Sequence, residues 1–266
     1  MDDKYAKLRS AEMGLAAISY DSPAVLAQFA ERTHIEFPLL SDAGSEIIRR
    51  FGILNETIQR GNPAYGVPYP GVYVLDSRGV VRAKFFEGDY RERDTAGMIL
   101  LKQFGIAPDE THASVTAKHL QLSAAATDSR AQAGQHVSLL LDLEIPPGVH
   151  VYAPGVKGYI PINWEIAGNE AVKAGPVEYP ESKMMTLDAI HETVPVYVGH
   201  VRLIRDVAIG TQKDLASLLD AQGNLSIAGS LRYQACDQTQ CFIPEIVPLT
   251  WTLKIEQLDR VRAVTK

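Results

Sequence analysis

Cysteine is almost absent from this chain: two residues in 266, Cys236 and Cys241. So sparing a use excludes a disulfide-rich scaffold. It also leaves a zinc site two ligands short, and no Cys-x-x-Cys or clustered histidines make up the set. His191 and His200 are the candidates for extra ligands, and a lone histidine is more often a surface or hydrogen-bonded residue. Dense Lys/Arg runs are missing and the formal net charge is −6, which argues against nucleic acid and anionic membrane surfaces as partners. No apolar stretch approaches the roughly 20 residues that span a bilayer, so no membrane insertion is expected. The opening Met1-Asp-Asp-Lys-Tyr5 lacks the basic-then-apolar pattern of a signal peptide. Internal repeats and low-complexity tracts are also lacking.

What is present is an ordinary folding composition. Hydrophobic residues make up 46% and charged residues 22%, enough to bury a core without help from metal or disulfide. The length suits two domains. Residues 1 to about 107 alternate strand and helix signals. Gly14–Tyr20 reads as a short buried strand, and Ser22-Pro23 caps a helix with Pro at its first position. Phe37-Pro-Leu-Leu40 is a brief apolar run, and Ser41-Asp42 opens a turn. Glu46–Phe51 is helical and stops at Gly52. Gly71–Leu75 and Val80–Phe86 flank Asp76-Ser-Arg-Gly79, a hairpin signal. A last helix runs from near Thr95 to Phe104 and ends at Gly105. Interleaved strands and helices predict an α/β layer fold. Tyr65, Tyr69, Tyr73 and the charged run Asp89–Arg93 have the residue types of a binding site, but Tyr73 reads as strand and Tyr90–Arg93 as a solvated loop leading into the last helix, with Arg91 or Arg93 a remote choice of substrate anchor.

Residues 108–112 form a short polar linker, and the period then changes. Val137, Leu139, Leu141, Leu143 and Ile145 alternate with mostly polar partners. Leu225, Ile227, Leu231 and Tyr233 do the same, as do Val247, Leu249, Trp251, Leu253 and Ile255. Pro146-Pro-Gly148, Ala153-Pro-Gly155 and Ala167-Gly-Asn169 punctuate them as turns. Many half-buried strands at this spacing predict a β-sandwich. Gln212–Leu219 reads as a short helix between strands.

Both cysteines lie in Tyr233-Gln-Ala-Cys236-Asp-Gln-Thr-Gln-Cys241-Phe-Ile-Pro244, between two strand-like runs. The chain can double back over four intervening residues, so a disulfide is within reach. Closing so short a loop would stabilise the fold by only about 2 kcal/mol, a small return for a domain with a large core. An exchangeable bond accounts for the pair better, because exchange needs an accessible sulfur. A structural disulfide and two free cytosolic thiols remain alternatives here. Asp237 and Glu245 flank the pair and work against thiolate activation.

Leu15-Ala-Ala-Ile-Ser-Tyr-Asp-Ser-Pro23, Phe37-Pro-Leu-Leu-Ser-Asp42 and Pro70-Gly-Val-Tyr-Val-Leu-Asp76 with Gly79 resemble, in that order, the peroxiredoxin (alkyl hydroperoxide reductase/thiol-specific antioxidant) family. The resemblance implies a thioredoxin-like fold, incomplete at its N-terminus, over residues 1–107. It puts Pro70 where thioredoxin-like proteins carry a cis proline, so a cis Tyr69–Pro70 bond is expected. The family's catalytic cysteine sits on a helix before the Leu15 strand, where Asp2 to about Arg9 stand here without one. A peroxidase needs a sulfur nucleophile, and no cysteine precedes Cys236, so peroxidase activity is not expected. A late start or a fragment boundary at Met1, with a signal peptide and the reactive cysteine upstream, is one reading of that gap.

Tyr233-Gln-Ala-Cys236, Cys241-Phe-Ile-Pro244-Glu and Val247-Pro248-Leu249 resemble the N-terminal periplasmic domain of the thiol:disulfide interchange protein DsbD family. Pro147–Tyr152, Trp164–Ile166 and Tyr179–Lys183 follow the expected order upstream. The resemblance implies an immunoglobulin-like sandwich over residues 113–258, with Cys236 and Cys241 as the redox pair and Tyr233 and Pro244 framing it. It leaves open which cysteine is attacked first. Met184–Thr193 falls where that family carries a cap loop, but holds no obvious aromatic lid residue. The function expected is thiol–disulfide exchange without a bound cofactor. The partner would be another thiol protein, thioredoxin-like or a membrane reductase, in a periplasmic or extracytoplasmic setting, although the absence of a signal pattern leaves the cytoplasm open. The rival reading is a binding or scaffolding protein with a structural disulfide; a fragment of an active peroxiredoxin is a third.

Overall fold

The structure is a computed structural model and describes residues 2–62, 64–86, 93–106, 113–169, 171–187 and 192–257. The expected linker, 108–112, lies outside the described residues, as do His191 and Tyr90–Glu92. The chain divides into two compact units, Met1–Ala96 and Gly97–Gln257.

The first unit is an α/β arrangement of short elements: α1 (Asp2–Ser10), β1 (Ala17–Ser19), α2 (Pro23–Thr33), β2 (Leu39–Ser41), α3 (Glu46–Arg50), β3 (Val72–Leu75), β4 (Val81–Phe85) and β5 (Arg93–Asp94). Ser22 caps α2 by accepting a hydrogen bond from the Val25 N–H at 3.4 Å, with Pro23 at the first helical position. The Asp42 carboxylate accepts the Glu46 and Ile48 N–H groups, each at 2.9 Å, and so starts α3. Gly52 adopts φ 68° just after it. β1 and β2 pair in parallel, whereas β3 and β4 form an antiparallel hairpin over Asp76–Gly79. Asp76 Oδ1 accepts both the Arg78 and Val80 N–H groups and fixes that turn.

The expected cis bond at Pro70 is corrected: no described peptide bond is cis. Pro68 bridges Leu54, and the Tyr69 N–H donates to the Ile53 carbonyl at 2.7 Å. The chain is thus already extended as it approaches β3, and a trans proline continues that course without a reversal.

The second unit holds α4 (Ala96–Phe104), β6 (Ala113–Val115), β7 (Gln121–Ala126), β8 (Arg130–Gln132), β9 (Gln135–Ile145), β10 (His150–Tyr152), β11 (Asn163–Ile166), β12 (Val172–Glu178), β13 (Lys183–Leu187), β14 (Glu192–Tyr197), β15 (Gly199–Ile209), α5 (Gln212–Leu215), β16 (Asn224–Tyr233), β17 (Ala235–Cys236) and β18 (Glu245–Glu256). One sheet runs β12-β15-β9-β7-β6, a second runs β11-β16-β18-β8, and a third runs β13-β14-β10-β17. The alternating apolar residues of β9, β15, β16 and β18 meet in one core with Trp164 and Trp251, whose rings stack at 5.5 Å. Trp251 Nε1–H donates to the Ala125 carbonyl at 2.9 Å, so its one polar atom is satisfied.

β9 is buried on both faces, which its strict alternation did not announce. Leu140 points away from the sandwich and packs with Leu101 of α4, Ala125 and Ile204. Lys102 of the same helix binds Glu178 at 2.7 Å and also Asp206. α4 ends as read from the sequence, just before Gly105, which takes φ 65°. Among the described residues no helix is long and apolar enough to cross a membrane.

Gly229 marks a close backbone approach between β11 and β16. A Cβ there would lie 2.5 Å from the Glu165 carbonyl oxygen and 3.2 Å from the Trp251 ring. Backbone cannot swing away as a side-chain tip can, so Gly229→Ala should destabilise the protein by about 1–3 kcal/mol. Urea unfolding followed by tryptophan fluorescence checks this; an unchanged midpoint would mean that β11 and β16 separate freely.

Candidate functional site

The cysteines sit in a chain excursion between two paired strands. β16 and β18 run antiparallel up to the Tyr233–Glu245 pair. The residues between leave that sheet and fold into a small hairpin of their own. The Phe242 N–H donates to the Ala235 carbonyl at 2.9 Å, and the Asp237 N–H donates to the Gln240 carbonyl at 2.9 Å. Cys236 and Cys241 face each other between those two bonds. A pair of this non-hydrogen-bonded kind brings Cα atoms to about 4.5 Å; here they are 4.0 Å apart and the sulfurs are bonded.

Two anchors hold the hairpin. At its base the Tyr233 hydroxyl donates to the Lys118 carbonyl and lies 2.7 Å from Glu245 Oε2, which also takes the Lys118 N–H at 2.8 Å. Burial and that carboxylate push the Tyr233 phenol far above its ordinary range. Glu245 is therefore engaged away from the sulfurs. The second anchor is β10: Ala235 pairs with Val151, and Cys236 pairs with His150. Phe242 is held flat against the His119 ring at 3.8 Å, and Gln234 Nε2 donates to the Phe242 carbonyl. At the tip, Asp237 Oδ1 accepts from the Thr239 hydroxyl and from the Thr239 and Gln240 N–H groups. Those bonds hold the Asp237 carboxyl below its usual range.

The two sulfurs meet different surroundings. Cys236 is 1% exposed and packs with Tyr152, Val194 and Val196, flanked by Met185, Leu187 and Tyr159. Cys241 is exposed. Beside it the Tyr152 hydroxyl lies 3.7 Å from Cys241 Sγ; a disulfide sulfur carries no hydrogen, so the phenol is the donor. The Tyr152 ring stacks on Tyr159 at 4.4 Å, and the Tyr159 hydroxyl donates to Glu192 Oε2 at 2.7 Å. That bond to Glu192 pushes the Tyr159 phenol up to about 12, and burial raises Tyr152. Both phenols are therefore neutral donors at working pH.

Of the residues singled out from the sequence, Tyr233, Cys236, Cys241 and Pro244 come together in this hairpin; Pro244 is exposed beside Ile243, which is 90% exposed. Pro70 belongs to the first unit. Met184–Thr193 supplies the hairpin of β13 and β14, with residues 188–191 outside the described set, and Met185 and Leu187 cover Cys236. The aromatic cover absent from that segment comes from Tyr152 and Tyr159, and sequence reading missed His150, Tyr159 and Glu192 as neighbours of the pair. Their only signal was Tyr152 ending the motif Pro147–Tyr152, more than 80 residues before the cysteines. Among the described residues no cluster of three or more His, Cys, Asp or Glu could hold a metal ion.

Known proteins resemble the chain in two blocks. Residues 1–84 match the AhpC/TSA family, and residues 117–249 match the family described as thiol:disulfide interchange protein DsbD, N-terminal. The chloroplastic peroxiredoxin Q of Populus jackii is 32% identical over 80 residues, which is 30% of this chain and 35% of that protein. The solved N-terminal periplasmic domain of ScsB from Proteus mirabilis is 14% identical with a TM-score of 0.36, covering 54% of this chain and 52% of that one. The Neisseria meningitidis DsbD N-terminal domain in its reduced form is 13% identical with a TM-score of 0.31, covering 44% of this chain and 78% of that one. The chain thus spans about a third of the curated relative and about half of the ScsB structure.

Once the pair is reduced, the Tyr152 hydroxyl can donate to a Cys241 thiolate. A hydrogen bond to a charged group is worth about 1.5–3 kcal/mol, so Tyr152→Phe should raise the Cys241 pKa by about one to two pH units. The pH dependence of alkylation, with mass spectrometry reporting the labelled site, checks this. An unmoved profile, or Cys236 labelled ahead of Cys241, would contradict the geometry.

Proposed function

Since the chain belongs, through residues 117–249, to the family of thiol:disulfide interchange protein DsbD, N-terminal, we propose that it performs thiol–disulfide exchange at Cys236 and Cys241. The observation that carries the reading is the unequal burial of one disulfide: Cys241 lies open and Cys236 is 1% exposed. Exchange requires in-line access to one sulfur only, with the other able to leave. A staple needs neither.

The chemistry follows from that asymmetry. A partner thiolate attacks Cys241 Sγ; a new intermolecular S–S bond forms as the Cys236–Cys241 bond breaks, and its electron pair passes to Cys236. A second thiol of the partner then attacks the mixed disulfide and leaves as part of the partner's own disulfide. Two electrons and two protons have moved from the partner to Cys236 and Cys241, and no bound cofactor takes part. In the reverse direction Cys241 attacks and Cys236 resolves. The Tyr152 hydroxyl steadies negative charge on Cys241 in both directions.

We read the sandwich as immunoglobulin-like, spanning residues 113–258, and the first domain as a thioredoxin-like module of residues 1–107. That module holds no cysteine, so peroxide chemistry has no nucleophile within it. A thioredoxin-like thiol protein is the partner class that suits a protruding, reactive Cys241. A pair that works from its disulfide state suits an oxidising, extracytoplasmic compartment.

Single-cysteine variants test the assignment. Cys236→Ser, offered a single-cysteine thioredoxin-like partner preloaded as its nitrothiobenzoate mixed disulfide, should displace nitrothiobenzoate through Cys241 and accumulate a stable mixed disulfide, because nothing remains to resolve it. Cys241→Ser should trap little, since its remaining sulfur is sealed. Non-reducing gels with mass spectrometry read the result, and the opposite pattern would refute the order of attack.

A further inference from the structure

The exchange as described leaves a proton unaccounted for at Cys236. Its sulfur alternates between disulfide and thiol inside an apolar cluster, where water has no ready access. A bare thiolate is costly in such a place, so a neighbouring group has to hold the proton while the sulfur reacts. His150 is directly opposite Cys236 in the β10–β17 pairing. Cross-strand partners project their side chains to the same face, with Cβ atoms about 4.5–5.5 Å apart. His150 is itself 4% exposed, and its Nε2 is buried with no hydrogen-bond partner among the described residues. Buried polar atoms are seldom left so, and an imidazole nitrogen kept open beside a buried sulfur is a place for a proton. The ring also stands edge-on to Tyr152 at 5.3 Å, which ties it to the residue that touches Cys241.

We propose that His150 is the acid–base group of the exchange, taking the proton from the Cys236 thiol when the disulfide closes and returning it when the disulfide opens. This rests on the exchange reading of the same cysteines. In the closing step Cys241 is joined to a sulfur of a disulfide-bearing partner protein. The His150 ring takes the proton of Cys236 S–H. The Cys236 electron pair forms the Cys236–Cys241 bond, and the Cys241–partner bond breaks with its pair on the partner sulfur, which departs as thiolate. Cys236 is oxidised and the partner sulfur is reduced; the imidazolium then passes its proton to solvent or to that thiolate. Opening runs the same step backwards.

The other titratable groups around the ring do not serve. Asp237 carries three hydrogen bonds on one oxygen that keep its carboxyl a weak base. Tyr152 is a neutral phenol pushed up by burial and by Glu192, and Glu192 is engaged by Tyr159. Burial lowers His150 below its usual value, against a smaller upward pull from Asp237. The ring is therefore neutral and ready to accept at pH 7. It loses that capacity as the pH falls through its depressed pKa.

The test uses the reduced full chain and the aromatic disulfide 5,5′-dithiobis(2-nitrobenzoate). Attack by Cys241 releases a first nitrothiobenzoate; resolution by Cys236 releases a second. With His150 as base, the second release in the wild type should be level at and above neutral pH and fall only at pH more acidic than the ordinary imidazole range. His150→Gln should slow it about tenfold or more at pH 7 and make it climb with pH through the thiol range near 8.5, with the first release unchanged. A second phase with the same rate and profile in both proteins would overturn the role. Should His150→Gln not fold, the wild-type profile decides: a climb through about 8.5 without a level region also overturns it. Absence of the first release would sink the exchange reading and this one together, whereas a defect confined to the second phase's profile bears on His150 alone.

Discussion

The structure turns on one constraint: eleven residues between Tyr233 and Glu245 must leave one sheet and pair with another. The β16–β18 ladder fixes both ends, and the Tyr233–Glu245–Lys118 hydrogen bonds lock the exit. The pairing of β17 with β10 fixes the middle. A hairpin held in this way cannot present both of its cysteines equally. The one on the strand that joins β10 goes under the cover of β13 and β14. The one on the returning limb stays in solvent. The proposed order of exchange rests on this difference in burial, with no need for unusual sulfur chemistry.

Around that hairpin the polar groups are distributed with little overlap. Asp237 shapes the turn, Glu245 holds the base, and Glu192 ties down Tyr159. None of these carboxylates is left pointing at the sulfurs as a loose charge. What remains beside the pair is a phenol on the open sulfur and an imidazole opposite the sealed one. The first unit contributes thioredoxin-like elements without a cysteine, so both thiol groups of the chain lie in the second unit.

Much of the architecture was legible in the sequence because it is local. Ser22-Pro23 starts α2, Gly52 and Gly105 close helices, and Asp76–Gly79 turns a hairpin, each by chemistry contained in a few residues. The period-two strands of the core were legible for the same reason. Non-local facts were not. Leu140 reads as one more residue on the outer face of β9, and only the packing of α4 shows why it is apolar. The proline at position 70 carried a family expectation of cis, but Leu54–Pro68 pairing sets an extended, trans course. His150 and Glu192 reach the cysteines through the pairing of β10 with strands about 45 and about 85 residues later in the chain, and Tyr159 by stacking on Tyr152; no spacing rule brings them there.

The most direct measurement is a redox titration of the full chain against a dithiol buffer, with mass spectrometry counting free thiols at each potential. Exchange requires a reversible two-electron midpoint within the range of working thiol–disulfide proteins, roughly −120 to −270 mV. A pair that stays oxidised until below about −300 mV would be a staple, and the central claim would fail.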